Sequence, residues 1–404
     1  MKRIQLHWQI LIALVLAVLF GANFPSYVEY ITWMGDVFLR ALRMIIVPLI
    51  FASIVSGVTG LGNAQNLGRL SLKTISYYLT TSLFAIITGL ILVNLIKPGV
   101  GADLGLSAMV EGLEVGSDSF GQTLINIIPV NIMESLAQGD LPSIIFFAIF
   151  FGFFTTKVPK VYSEPITNFF NAVFEIMMKI TMFVIKFTPL GIFGIVSGLA
   201  AEHAGDLLGV VKSMGLYMVT VIGALAFHAI ITLPLLMKFV GKADPVKHAR
   251  GMSVPLLTAF STSSSSATLP LTIEAVEVNS GVSNKTTGFV LPLGATINMD
   301  GTALYQCVAV LFIAQAYGIE LTILQQFIVT ITALMASIGA AGIPMAGLVI
   351  ITIILSAVGL PLEGVGLILA VDRILDMVRT TVNVWSDSCG AVIIAKSEGE
   401  ETLV

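Results

Sequence analysis

Apolar runs long enough to cross a lipid bilayer recur through the first part of the chain, and a water-soluble core has no use for so many. They cover roughly 8–20, 31–60, 74–96, 120–156, 166–200 and 208–237, and from the second onward each reaches the about 20 residues that one helical crossing needs. The first, Trp8 to Phe20 behind Lys2 and Arg3, also suits a secretory signal, but it is read here as a span that stays in the membrane. Composition agrees: 56% of the 404 residues are apolar, 11% are charged and mean hydropathy is +0.97, against about 45–50% and about 25% in soluble domains. The expected class is an all-α polytopic membrane protein. A net charge of −4 without any basic run argues against a nucleic-acid partner. Two cysteines and four histidines lack disulfide or metal-ligand spacing, so no resident cofactor or catalytic metal is expected.

Lys and Arg set the orientation. Arg69, Lys73, Lys157, Lys160, Lys238, Lys242, Lys247 and Arg250 follow the second, fourth and sixth segments, whereas 98–120 carries Asp103, Glu111, Glu114 and Asp118 without a single basic residue. Basic loops stay cytoplasmic, so a multi-pass protein of the inner cell membrane with both termini in the cytoplasm is expected. The acidic end, Glu398-Gly399-Glu400-Glu401, reads as a solvated tail.

Beyond residue 245 the apolar runs are interrupted. Val254 to Phe260 and Ala267 to Val278 flank a run of serines and one threonine, 261–266, and Thr322 to Ile338 and Ile343 to Val358 flank Gly339-Ala340-Ala341-Gly342. Pieces this short fit two hairpins that enter the membrane and return. Paired broken segments point to a transporter's binding site, while Ser-rich or Gly-rich linkers outside the membrane are the plain alternative.

Between the hairpins lies Gly294-Ala295-Thr296-Ile297-Asn298-Met299-Asp300-Gly301-Thr302, a polar island that should interrupt its helix. An Asp at mid-membrane costs about 2.5–3.5 kcal/mol on insertion scales, so it pairs or binds, and carbonyls beside an Asp suit a hard cation. Hydrogen-bond glue between helices is the alternative. The last apolar segment, 362–395, holds Asp372, Asp376, Arg379, Thr380, Asn383 and Asp387. At about 100° per residue all six fall within about 100° of one helix face. Arg379 stays charged and grips carboxylates with a planar fork, and Asp376 one turn earlier can take an ammonium group, so the pair suits a zwitterion with an additional acidic group. An internal Asp376–Arg379 ion pair without a ligand remains the competing reading, and Asp372 reads as structural. Tyr77 to Ser82, in the third segment, carry only a weak polar signal.

The serine run with Ala267-Thr268-Leu269-Pro270, the Asn298-Met299-Asp300-Gly301-Thr302 island, the tip Ala341-Gly342-Ile343-Pro344 and the stripe from Asp376 to Asp387 together resemble the glutamate transporter family of dicarboxylate and amino-acid:cation symporters. The resemblance covers nearly the whole chain, with motifs in four segments in matching order. It implies eight transmembrane helices plus two re-entrant hairpins with inverted repeats, a homotrimer in the lipid bilayer, and an elevator-type movement. Residues 1–73 and 98–207 would be scaffold, and 74–97 and 208–404 the moving transport domain.

By the same resemblance Arg379 binds the substrate's side-chain carboxylate and Asp376 its amino group. Asn383 and the tip at Ser263 and Ser265 take the main-chain carboxylate, with Thr302, Thr380, Ile343 and Gly347 completing the pocket. One sodium site would use Asp387 with carbonyls of Gly294, Asn298 and Asn383. A second would use carbonyls of Thr296, Met299, Ser337, Ile338 and Ala340. Asp300 would anchor a third with Tyr78, Thr81, Ser82 and Asn298. Sodium is then the coupling ion, and an acidic amino acid, aspartate or glutamate, the substrate. Proton-coupled, C4-dicarboxylate and neutral amino-acid symporters of the same family are the alternatives, and a channel or a membrane-embedded enzyme the rival classes. Two departures bear on mechanism: Gln306 replaces the glutamate of proton-coupled animal members, and Ser263 replaces an arginine of some archaeal ones.

Overall fold

Proline, glycine and serine decide where the apolar runs break into helices. The computed structural model describes residues 6–62, 68–101, 128–202, 207–338, 346–362 and 364–404, and every regular element among them is helical. The run 120–156 becomes α4 (Ile132–Gln138) and α5 (Leu141–Thr155), because Gly139 takes a left-handed conformation, φ 73°, that closes α4. The run 166–200 becomes α6 (Lys160–Ile185) and α7 (Thr188–Glu202), parted just before Pro189. Ahead of them stand α1 (Leu6–Asn23), α2 (Trp33–Gly62) and α3 (Gly68–Ile96).

The sixth run is one long rod, α8 (Leu207–Phe227) continuing through a π-helical turn, His228–Thr232, into α9 (Leu233–Phe239). After the short α10 (Pro245–Gly251) come α11 (Ser253–Thr262), α12 (Ser265–Ser280), α13 (Asn284–Ile297) and α14 (Asp300–Ala316). The chain ends with α15 (Ile323–Ile338), α16 (Ala346–Ala357) and the 33-residue α17 (Val365–Ser397). Among the described residues four stretches are long and apolar enough to cross a membrane: Arg69–Ile96, Lys160–Ile185, Lys212–Phe239 and Asn284–Ala316.

Packing sorts these helices into two groups. α1 lies along α7, and α2 lies on α5, α6 and α7. In the other group α14 is central, wrapped by α3, α8, α15, α16 and α17, while α11, α12 and α13 pack on α17. α15 and α16 also touch α2 and α5, which joins the groups. Every residue of α14 except Gln315 is buried, so the Asp300, Gly301 and Thr302 end of the polar island is enclosed by protein.

The acidic end is not the solvated tail expected. Arg69 donates to Glu398 through Nε (3.1 Å) and Nη2 (3.0 Å), and Lys73 Nζ adds a contact of 2.5 Å. Glu400 accepts from the Ser283 amide and hydroxyl and from Thr286, and the Leu403 amide bonds the Ser280 carbonyl at 2.8 Å. The end of α17 is thus strapped to the starts of α3 and α13. Hydrogen bonds from Arg69 and then Lys73 hold the Glu398 carboxyl at about 2. Because this is lowered in the folded state, the strap's contribution is complete above the ordinary carboxylate range of about 4.3 and is lost as pH falls towards about 2. Carboxyl chemical shifts should titrate Glu398 near pH 2, and in Arg69→Gln/Lys73→Gln near the ordinary range; equal midpoints would rule the strap out.

Candidate functional site

The first hairpin tip is made by backbone conformation and capping. Ser263 closes α11 in a left-handed conformation, φ 51°, costly for a residue with a Cβ. Ser264 is extended and its hydroxyl accepts from the Ala267 amide, capping α12. Ser263 and Ser265 are both buried, and the Ser263 hydroxyl has no hydrogen-bond partner among the described residues. The tip therefore offers a buried polar group to something that enters. Of the second tip, Ala340 and Ile343 lie outside the described residues.

All six polar residues of the α17 stripe are buried. Arg379 donates to Asp376 Oδ1 from Nε (2.9 Å) and Nη2 (2.8 Å), and to Asp372 Oδ1 from Nη1 (3.1 Å). The guanidinium lies over the Tyr305 ring, 4.4 Å from its centroid, and the Tyr305 hydroxyl donates to Asp372 Oδ1 at 2.7 Å. The internal ion pair left open above is thus present, and Asp372, read as structural, proves to be a direct partner of the arginine. Gly347 packs on the same fork: a Cβ there would stand 2.5 Å from Nη1. On the other side of Asp376, Arg373 Nη1 is 3.8 Å from Oδ2.

The island breaks its helix, as the sequence predicts, at Asn298 and Met299. Met299 cannot cap α14, so Asn383 reaches across from α17: its Oδ1 accepts from the amides of Gly301 (2.8 Å) and Thr302 (3.4 Å), and its Nδ2 donates to the Thr302 hydroxyl (3.0 Å). Gly301 permits this approach, since a Cβ would collide with the Arg379 carbonyl. Thr302 and Asn383 therefore lie on the shared face of α14 and α17, and Thr380 is buried on α17.

Asp300 and Asp387 are buried without a Lys or Arg within 4 Å among the described residues. Asp300 Oδ1 accepts from Ser82 (2.5 Å) and Thr81 (3.3 Å), and Oδ2 from Ser386 (2.6 Å). Asn298 bridges the two acids: its Nδ2 donates to Asp387 Oδ1 at 2.9 Å and to Ser386 at 3.0 Å. The Thr81 hydroxyl lies 3.1–3.4 Å from four oxygens, the carbonyls of Tyr77 and Tyr78, Asn298 Oδ1 and Asp300 Oδ1. One hydroxyl hydrogen serves one of them. Oxygen lone pairs converging beside two buried carboxyl groups are the chemistry a hard monovalent cation satisfies. A Cβ on Gly294 would meet Asp387 Oδ1 and the Tyr78 hydroxyl, which itself donates to the Val290 carbonyl at 2.6 Å.

Not every expected residue joins these clusters by its side chain. Thr296 is exposed, and its hydroxyl bonds the Leu293 carbonyl; Ser337 is buried and bonds the Leu334 carbonyl. For Thr296, Ser337, Ile338 and Met299 the expectation concerned backbone carbonyls, not side chains. Three residues of the site escaped sequence reasoning: Tyr305, Ser386 and His228. The available signal for His228 was its place in the sixth apolar run, where an ionisable residue is rare without a partner. Gln306 is buried and neither end of its amide has a partner among the described residues.

A family model described as the sodium:dicarboxylate symporter family matches residues 6–397. The chain is 35% identical to the proton/glutamate-aspartate symporter of Escherichia coli over 98% of its length and 94% of that protein's. It is also 35% identical to a proton/sodium-glutamate symport protein of Geobacillus stearothermophilus, over 99% and 96%. Mouse excitatory amino acid transporter 3 is 36% identical over 98% of this chain and 86% of its own.

Proposed function

The chain belongs to the sodium:dicarboxylate symporter family, and from that premise we propose that it couples uptake of an acidic amino acid, aspartate or glutamate, to sodium. It is a multi-pass membrane symporter, not an enzyme. The observation that carries the substrate class is the buried Arg379 fork held by Asp376. An acidic amino acid can replace this internal pair with two equivalent ones: its side-chain carboxylate takes the fork, and its ammonium takes Asp376. The burial of both charges is already met by the fold, so the exchange leaves neither unpaired. Asn383, Thr302, Thr380 and the open Ser263 hydroxyl with Ser265 then receive the main-chain carboxylate, with Gly347 and Ile343 closing over the ligand.

Sodium enters by charge. Asp300 and Asp387 have no Lys or Arg partner among the described residues while the ligand adds a net −1, so cations relieve the repulsion, and ions and substrate stabilise each other's binding. Asp300 with Tyr78, Thr81, Ser82 and Asn298 forms one site, Asp387 with the backbone of Gly294, Asn298 and Asn383 another. The carbonyls of Thr296, Met299, Ser337, Ile338 and Ala340 supply a third. Proton coupling remains the second reading, since the names of two relatives include it; Gln306, which cannot titrate, speaks against that route at this position.

The α1, α2 and α4–α7 group serves as the static scaffold and trimer contact, and the α3 and α8–α17 group as the part that moves. Eight spans, two re-entrant hairpins and an elevator movement in the inner membrane, with cytoplasmic termini, complete the reading. The separate packing of the two groups supports it.

Calorimetry on the purified protein tests substrate and coupling together. L-Aspartate or L-glutamate should bind in sodium and not in potassium or choline. Binding that persists without sodium would turn the reading to protons, and a preference for succinate or L-serine would overturn the roles of Asp376 and Arg379.

A further inference from the structure

Asp300 has a fourth donor that no motif reveals. His228 Nε2 lies 3.2 Å from Asp300 Oδ2, and both side chains are fully buried. An ionised carboxylate only accepts, so Nε2 carries the hydrogen. Nδ1 makes no hydrogen bond among the described residues, so the contact with Asp300 is the ring's sole polar anchor there.

The backbone is built to present this ring. Pro234 has no N–H, and the helix responds with the π-turn His228–Thr232, in which the Leu233 amide donates to the His228 carbonyl instead of to Ala229. The Ala229 carbonyl has then lost its α-helical donor, and the residue that would serve it in a π-turn is Pro234. The Trp385 indole supplies the missing hydrogen at 3.0 Å. Trp385 immediately precedes Ser386, whose hydroxyl donates to the same Asp300 oxygen at 2.6 Å. Two helices therefore meet at one carboxylate oxygen, each braced by the other.

We propose that His228 is a positioning residue for the cation bound at Asp300. With Ser386 it fixes Oδ2, so that Oδ1 stays turned towards Ser82, Thr81 and the Asn298 side-chain oxygen, where the ion is held. This rests on the sodium-coupled reading above. Groups that orient a metal's ligands without touching the metal typically change affinity by about 10–100-fold when removed.

The test is the sodium concentration that gives half-maximal L-aspartate binding to the full-length protein at one fixed pH. His228→Leu keeps bulk without a donor and should raise that concentration about tenfold or more, with aspartate affinity recovering at saturating sodium. His228→Gln carries an amide N–H to about the reach of Nε2 and should stay within about threefold of wild type. Unchanged sodium dependence in His228→Leu, or equal losses in both variants without recovery at high sodium, overturns the proposal. Trp385→Phe removes only the hydrogen bond to Ala229, keeps a ring to stack on His248, and should shift sodium dependence in the same direction by less. If His228→Leu does not fold, this variant decides, and wild-type behaviour in it overturns the proposal. A wild type that binds no aspartate at any sodium concentration overturns the symport reading and this one with it; a sodium-dependent wild type with an indifferent His228→Leu overturns this one alone.

Discussion

Arg379→Cys is expected to abolish aspartate and glutamate binding and to admit small neutral amino acids such as serine or alanine. The guanidinium is 2% exposed and makes contacts of 2.8–3.1 Å with two carboxylates. Truncating one partner of a buried, hydrogen-bonded charge pair costs about 2–5 kcal/mol, which is about 30-fold to a few thousand-fold in affinity. In the variant the ligand's side-chain carboxylate would face Asp372 and Asp376 with Arg373, 3.8 Å from Asp376 Oδ2, as their one Lys or Arg partner among the described residues, and would be repelled. A neutral ligand keeps the Asp376 contact for its ammonium and loses nothing. Gain of serine binding also shows that the variant folds, so loss of aspartate cannot then be blamed on unfolding. Undiminished aspartate binding by Arg379→Cys would refute the assignment.

The second large effect belongs to Asp300 and Asp387, the two buried acids with no Lys or Arg partner among the described residues. Asp387→Asn and Asp300→Asn should each raise the sodium concentration for half-maximal binding and, at sodium below saturation, weaken aspartate. Linkage ties the two losses together, and couplings of this kind are commonly about 5–150-fold. Asp387 accepts one hydrogen bond from Asn298, while Asp300 accepts from Ser82, Thr81, Ser386 and His228. An amide in place of Asp300 therefore also sets a donor against donors, and its variant should be the worse of the two. Titrating sodium against labelled aspartate in both variants measures the effect. A sodium dependence equal to wild type in both would remove these acids from the cation sites.

Local chemistry made much of this legible in advance. The Ser263-Ser264 break is visible because a serine cap and a short apolar piece on either side leave few alternatives. The α17 stripe is visible because helical periodicity alone brings six polar residues to one face. What could not be read was anything carried by packing between distant segments. Asp372 read only as structural because spacing along one helix says nothing of Tyr305, which comes from α14 and ties Asp372 to the arginine. The acidic end read as solvated because nothing in four residues announces that Arg69 and Lys73, more than 300 positions earlier, stand opposite.

By itself, then, the sequence determined the solvent this protein lives in, the places where its helices stop, and the kinds of groups that meet its ligands. Those depend on burial cost, dihedral preference and capping, which act within a few residues. The tertiary structure alone decided which buried charges have partners. Arg379 receives two carboxylates, whereas Asp300 receives three hydroxyls and the His228 ring and no Lys or Arg among the described residues, because α3, α8, α14 and α17 converge around one polar island, and a charge in a low-dielectric interior is governed by whatever lies within a few ångströms of it.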